Sequence, residues 1–258
     1  MTRKIKGASA ADATARHLED LILEGSLRSG DSLLSERDMA AHLDVSRPVL
    51  REALKTLEQK GLLKPAAGGR VVAELATSVT DPLMDLLEER KDMAKDYLEL
   101  RGVLEQMAAS LAAKRATDVD RRALEDCARE IDAAHATGDA TQEAEADLNL
   151  HMIVYEASHN IVLLHMMRAL SKMLRKGVFL NRLQLYALPE VRAILRDQHL
   201  KIIETILSRD PAKAGEAAAA HMTYTKSALA EIAAAEERLQ MSLRRIDSGG
   251  LGAGTGGG

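Results

Sequence analysis

The sequence predicts a mainly α protein, with an N-terminal winged helix-turn-helix domain followed by an all-α helical bundle. Three observations carry this. Residues 34–63 hold two short amphipathic patterns split by Asp44-Val45. Two short apolar runs around Gly68-Gly69 follow at once. From Asp81 to residue 245, Leu, Ala, Met and Ile recur at helical spacing, with no convincing strand pattern.

Taken in order, Ala10–Glu24 reads as a helix with His17, Leu18, Leu21 and Ile22 on its apolar side, capped at Gly25. Ser35–Leu43 is a supporting helix, and Arg37 stands at its start, within reach of a phosphate or base edge. Ser46–Lys60 is the second helix, with Ser46 as its N-cap. Val49, Leu50, Ala53, Leu54 and Leu57 form its packing side. Arg47 and Arg51 lie four apart near its N-terminus, on one face, with Lys55 a turn further on. That is how a helix-turn-helix presents its recognition helix, whose first turns reach base edges in the major groove.

A wing follows. Gly61 ends the helix, Leu62-Leu63-Lys64 reads as a strand, Ala66–Gly69 as a hairpin turn, and Val71–Ala73 as a second strand preceded by Arg70. Glycine lets a backbone approach phosphates closely and leaves its N–H groups bare as donors. Gly68, Gly69 and Arg70 are therefore candidate minor-groove or phosphate contacts. Alone, the glycines would read simply as a turn.

The chain divides into a DNA-binding domain at 9–75, a linker at 76–81, a helical domain at 82–245 and a glycine-rich disordered tail at 246–258. Pro82 sits in the first turn of a new helix. Breaks at Thr117-Asp118, Gly138-Asp139, His159-Asn160, Leu188-Pro189 and Asp210-Pro211 cut the helical domain into six or seven helices. Its 258 residues fit about two domains. A single cysteine, Cys127, excludes an internal disulfide framework and fits a reducing compartment. No apolar run is long enough to span a bilayer and no signal peptide is legible, so the expected location is the cytoplasm. The net charge of −4 at first argues against nucleic acid. Residues 1–75, however, hold 12 Lys+Arg against 11 Asp+Glu, and the remainder 23 against 28. A near-neutral domain binds DNA if its cations gather on one face.

Here the chain resembles the GntR family of bacterial transcription regulators. The resemblance rests on Leu33-Leu34-Ser35-Glu36-Arg37-Asp38-Met39-Ala40, Val45-Ser46-Arg47-Pro48-Val49-Leu50-Arg51-Glu52-Ala53-Leu54, and Leu57-Glu58-Gln59-Lys60-Gly61-Leu62. Leu34 replaces the usual proline, and Gly68-Gly69-Arg70 stands where the family often has Gly-x-Gly. The resemblance implies that Arg37, Ser46, Arg47, Arg51 and the wing glycines contact operator DNA.

The helical domain holds a second constellation. Asp147 and His151 are four apart on one helix, His199 follows Pro189, and His221 follows Pro211. Mixed imidazole and carboxylate donors suit a divalent transition metal. Spacing alone leaves buried, non-ligating histidines the simpler reading. The same reading holds for His135, His159 and His165, while His17 and His42 are surface or packing residues.

Residues 93–222 resemble the FCD effector domain of the FadR-type branch. The matching stretches are Arg101-Gly102-Val103-Leu104-Glu105, Asp147-Leu148-Asn149-Leu150-His151, His199-Leu200-Lys201-Ile202 and Ala217-Ala218-Ala219-Ala220-His221-Met222. In many members the matching Asp and three His bind a metal. The resemblance thus implies a metal at Asp147, His151, His199 and His221, with zinc first and nickel or manganese as alternatives. It also places Arg101 facing the cavity, as the cation for a small carboxylate effector, against the plainer reading of an ion pair with Glu105 one turn on. Asn149 lies on another face.

The expected function is a homodimeric repressor on a two-fold symmetric operator, controlled by a small organic acid through helix shifts near Asp81–Leu87. A purely structural metal with a non-acid effector is the alternative. A metalloenzyme fits less well, because no His-Glu-x-x-His motif or general base accompanies the site.

Overall fold

The computed structural model describes residues 9–73, 93–175 and 182–248. Its elements in chain order are α1 (Ala10–Leu23), α2 (Glu36–His42), α3 (Arg47–Gln59), β1 (Leu63–Ala66), β2 (Gly69–Val72), α4 (Met93–Arg115), α5 (Asp118–Thr137), α6 (Ala140–Ala157), α7 (Ile161–Arg175), α8 (Arg182–Tyr186), α9 (Pro189–Leu207) and α10 (Pro211–Ser248). They form two compact units, and residues 161–172 belong to the first of them with the winged helix.

In the first unit, Ser9 and Asp12 form a capping box that starts α1. Leu18 and Ile22 are buried, but His17 is exposed and takes no part in the apolar side. Ser35 starts α2, its hydroxyl oxygen accepting from the Asp38 N–H at 3.2 Å. Asp44, at φ 51°, turns the chain into α3. The Val45 N–H donates to the Ala40 carbonyl at 3.0 Å and closes that turn. Leu50, Ala53, Leu54 and Leu57 are the buried stripe of α3, as the 3.6-residue period requires. Leu50, Leu54 and Leu57 meet Leu18, Ile22 and Leu63 in one core.

β1 and β2 are antiparallel, with Leu63 opposite Val72 and Ala66 opposite Gly69. The hairpin turn is thus only Ala67-Gly68, with Gly68 at φ 92°. With so short a turn β2 starts earlier than the sequence suggests: Arg70 lies inside it, opposite Pro65, rather than ahead of the strand.

Residues 161–172 of helix α7, which the sequence places in the 82–245 helical domain, pack with the first unit. His165 Nε2 lies 2.8 Å from the Leu23 carbonyl at the end of α1. Gly25, at φ 86°, suits the turn there, because its left-handed backbone is one that residues with a side chain rarely adopt. Helical periodicity predicts an apolar face without naming the surface that will cover it.

The second unit breaks where the sequence does. Thr117 and Asp120 form a capping box before α5, and Gly138, at φ 75°, ends it. Asp139 caps α6, and Pro189 occupies the first turn of α9. α4 packs along α10 through the buried small residues Ala108, Ala109, Ala112, Ala214 and Ala218. A Cβ on Gly215 would come within 2.5 Å of Ser110 Oγ, so glycine sets how closely these helices approach. α10 continues to Ser248, past the expected start of the tail at 246. The expected linker, the helix start at Pro82, the segment Asp81–Leu87 and the tail from 249 lie outside the described residues. No helix among the described residues is long and apolar enough to cross a membrane.

Candidate metal centre and nucleic-acid interface

The recognition-helix side chains emerge from the first turns of α3, where the apolar stripe faces inward and leaves Arg47, Arg51 and Lys55 exposed. Ser46 occupies the N-cap position but makes no side-chain capping bond, contrary to expectation, so its hydroxyl stays available at the helix end. Arg37 is 82 % exposed, with Nε 3.1 Å from the Asp38 carboxylate.

Two further expected cations are held by carboxylates distant in sequence. Arg51 Nε donates to Glu36 Oε2 at 2.6 Å. Arg70 donates from Nη1 to Glu36 Oε1 at 3.2 Å and from Nε to Glu58 Oε1 at 2.5 Å. Hydrogen bonding to Arg51, then to Arg70, outweighs burial and lowers the Glu36 carboxyl below its ordinary value. Hydrogen bonding to Glu58 is the largest influence raising Arg70. Sequence reasoning quoted Glu36 only as part of the Ser-Glu-Arg motif and gave Glu58 no role. Neither lies near its arginine partner in sequence, so only the tertiary fold exposes the network.

In the second unit, α6 contributes Asp147 and His151, α9 contributes His199 and α10 contributes His221, all four buried. One ligand atom from each lies within 4.8 Å of all the others. Asp147 Oδ1 is 3.0 Å from His199 Nε2 and 3.3 Å from His151 Nε2. The ring centroids of His199 and His221 are 4.6 Å apart, and those of His151 and His221 5.4 Å. His151 Nε2 makes no hydrogen bond despite complete burial. Three imidazoles and one carboxylate converging in a buried pocket are costly unless a charge or proton joins them. This donor set is compatible with a divalent metal.

Behind the donors stands an outer layer. His151 Nδ1 is 2.9 Å from Glu105 Oε2, and His221 Nδ1 is 3.1 Å from Gln198 Oε1. With Nδ1 held from behind, Nε2 of each ring is the nitrogen left for the centre. Burial favours the neutral acid of Glu105, yet His151 and Arg101 overcome it and hold the carboxyl at about 2. Burial, reinforced by the neighbouring His199 and His151, pushes His221 well below the ordinary histidine value, towards the neutral form a metal needs. His151 faces burial that lowers it and Glu105 that raises it, and the net direction is upward. Neither Glu105 as a second layer nor Gln198 was legible in the sequence. The i, i+4 spacing of Arg101 and Glu105 was the one signal.

Arg101 does form that ion pair, donating from Nε to Glu105 Oε1 at 3.0 Å. It also lines a small cavity with Asp147, His151, His221 and Thr225. The buried Thr225 hydroxyl there has no hydrogen-bond partner. The ion-pair reading of Arg101 is thus observed, and the same side chain borders the cavity. The remaining histidines go elsewhere. His135 meets Glu143 at 2.8 Å and His159 meets Asp120 at 2.8 Å, carboxylates supplied from across the fold rather than from the same helix turn. Asn149 bonds Glu130, away from the centre.

The winged helix in one unit and the helical bundle in the other agree with what known proteins show. Residues 10–72 match the model of the bacterial regulatory proteins of the gntR family, and residues 96–224 match the FCD domain. The chain is 33 % identical over 225 residues to an Escherichia coli K12 protein provisionally named L-lactate dehydrogenase operon regulatory protein, covering 85 % of this chain and 86 % of that one. The chain belongs to the gntR family, with an FCD domain.

This gntR-family protein is also 31 % identical to the Glc operon transcriptional activator of E. coli K12, covering 86 % of this chain and 89 % of that one. It is 31 % identical to the HTH-type transcriptional regulator LutR of Bacillus subtilis, covering 81 % and 96 %. The solved Streptococcus agalactiae GntR aligns with a TM-score of 0.54 at 26 % identity, covering 84 % of this chain and 99 % of that one. The gntR-family chain is thus a DNA-binding transcriptional regulator rather than an enzyme.

Proposed function

We propose that this regulator changes its hold on operator DNA when a small carboxylate binds beside a divalent metal in its FCD domain. On the DNA side, Arg47 and Arg51 read base edges. Arg37, Ser46, Gly68 and Gly69 position the domain on the backbone, with Arg70 behind them. On the effector side, Asp147, His151, His199 and His221 hold the metal, with zinc favoured by three imidazoles and one carboxylate. When bound, the metal supplies a Lewis-acid centre for carboxylate and hydroxyl oxygens. Arg101 supplies a countercharge and the Thr225 hydroxyl a hydrogen bond. The observation that carries this reading is the convergence of four donor atoms from three helices, with two imidazoles held from behind by Glu105 and Gln198.

The name of the E. coli relative favours a short 2-hydroxy monocarboxylate such as L-lactate. The Glc operon relative is named an activator, whereas the sequence reading favours a repressor, so the step common to both is control of operator occupancy. Two copies act together on a symmetric operator in the cytoplasm.

The Glu105 contact favours a second reading of Arg101 alone, as a strut that fixes Glu105 and, through it, His151. Arg101→Lys separates the two readings. As an effector ligand its loss weakens L-lactate binding at full metal content; as a strut it lowers metal content first. The proposal as a whole is tested by metal analysis of the purified chain and calorimetric titration with L-lactate before and after chelation. Metal near one per chain and lactate binding that disappears on chelation are expected. Absence of metal under replete conditions overturns it.

A further inference from the structure

Glu36 stands out because a carboxylate on a DNA-facing surface opposes phosphate binding. It lies at the start of α2, while its partners lie at the start of α3 and within β2. One carboxylate oxygen takes the Arg51 Nε–H at 2.6 Å, and the other takes the Arg70 Nη1–H at 3.2 Å. Glu58 on α3 takes the Arg70 Nε–H at 2.5 Å. The Arg70 and Glu36 side chains are about equally shielded, at 24 % and 25 % exposure, whereas Arg51 is 61 % exposed. Supporting helix, recognition helix and wing are thus tied through one carboxylate.

A guanidinium is a rigid planar fork with five N–H donors. A carboxylate on Nε fixes the plane of that fork and its direction along α3, yet leaves the end carrying Nη1 and Nη2 for another acceptor pair. Arg51 makes no other hydrogen bond among the described residues. An arginine pre-set in this way loses less freedom when it meets guanine O6 and N7. Without Glu36, the same side chain would sweep over the surface and settle on any phosphate in reach.

We propose that Glu36 is a positioning residue for sequence readout: it orients Arg51 for a base edge and, through Arg70, fixes the wing against the recognition helix. It gives up general attraction to phosphate in exchange for discrimination between sequences. This rests on the reading that Arg51 contacts a base. It makes Arg70 a wing strut rather than a primary DNA ligand, and it separates the two carboxylates. Among the described residues, the Glu58 carboxylate bonds the wing arginine and not Arg51, so its loss loosens the wing without releasing Arg51.

The test uses the full chain and two duplexes: one enriched from a random library by the native protein, and one of the same composition with its sequence shuffled. Fluorescence anisotropy gives the affinity for each, and the ratio is the readout. A purely structural role for Glu36 would not move that ratio while the melting temperature held. Glu36→Gln is expected to reduce the ratio about ten-fold, the scale of one bidentate base contact, with affinity for the shuffled duplex equal or higher. Glu58→Gln is expected to weaken both duplexes by a similar factor and keep the ratio. Arg51→Ala runs alongside. If Arg51→Ala loses discrimination while Glu36→Gln retains it, Glu36 has no positioning role and the base-reading assignment stands. If both retain it, the assignment of Arg51 fails as well. A Glu36→Gln variant that loses affinity for both duplexes equally also overturns the proposal.

Discussion

The two units solve opposite problems with the same residue types. In the winged helix the functional charges stand in water, steadied by carboxylates at the surface. In the helical unit Asp147, His151, His199 and His221 are almost wholly removed from water. Exposed cations cost little to maintain, so a single turn of α3 can carry two of them. Buried donors are tolerable only when every charge and lone pair is matched. That is why the second unit draws on α4, α6, α9 and α10 and adds Glu105 and Gln198 behind the imidazoles. The difference predicts that mutations in the helical unit damage stability and binding together, while those on α3 damage binding alone.

The largest effect is expected from His221→Ala and Asp147→Ala. Each removes one donor from a shell shared by three helices, so bound metal should fall from stoichiometric to near zero. Metal at about 1,000 times its dissociation constant stabilises a fold by about 4 kcal/mol. Chelation should therefore lower the native melting temperature clearly and that of His221→Ala hardly at all. His165→Ala, whose ring meets the Leu23 carbonyl instead, should keep its metal.

Glu105→Ala comes next. It leaves the buried guanidinium of Arg101 without its carboxylate and His151 Nδ1 without its partner. Breaking one side of a buried pair costs about 3–5 kcal/mol, and losing an outer-layer partner weakens metal binding about 10–100-fold. Denaturant melts and metal titration would read both. If metal affinity survives while stability falls, Glu105 serves the fold and not the site.

On the exposed side, Arg47→Ala should cost about 1–3 kcal/mol of specific DNA binding with an unchanged melting temperature. A comparable loss of stability would mean that the exposed and buried regions differ less than the contrast requires.

The legibility of the two regions followed the same divide. α2 and α3 could be read because Ser35, the Leu50–Leu54–Leu57 stripe and Gly61 each lie within a few residues of what they organise. The helix breaks of the second unit were equally local, as at Thr117-Asp118 and Gly138. The four metal donors needed the family resemblance as well, since His199 and His221 are far from Asp147 in sequence. Arg70 falls inside β2 rather than ahead of it, because a two-residue turn lets pairing begin at Ala66 and Gly69. The Glu36 and Glu58 contacts and the packing of α7 on the first unit depend wholly on tertiary placement, which hydrophobic period does not encode.

The smallest expected effect lies at the start of α5. Asp120 accepts from the Thr117 N–H and hydroxyl, each at 2.7 Å, and meets His159 at 2.8 Å. Asp120→Ala should cost about 1 kcal/mol, the scale of a lost cap. Hydrogen bonds from Thr117 and His159 overcome burial and lower the Asp120 carboxyl below 3.8. Its contribution is therefore fully present above that value and is lost as pH falls through the folded one. The native and mutant stabilities should converge only in strong acid, and a difference that persists there would place the effect in packing instead.

The central claim is that the buried centre controls the exposed one, and operator affinity measured with and without L-lactate tests it most directly. The native metal-loaded chain should show a lactate-dependent change in affinity for its enriched duplex. Chelated protein and His221→Ala should bind the same duplex with no response to lactate. A lactate response that persists without metal in both would contradict the account.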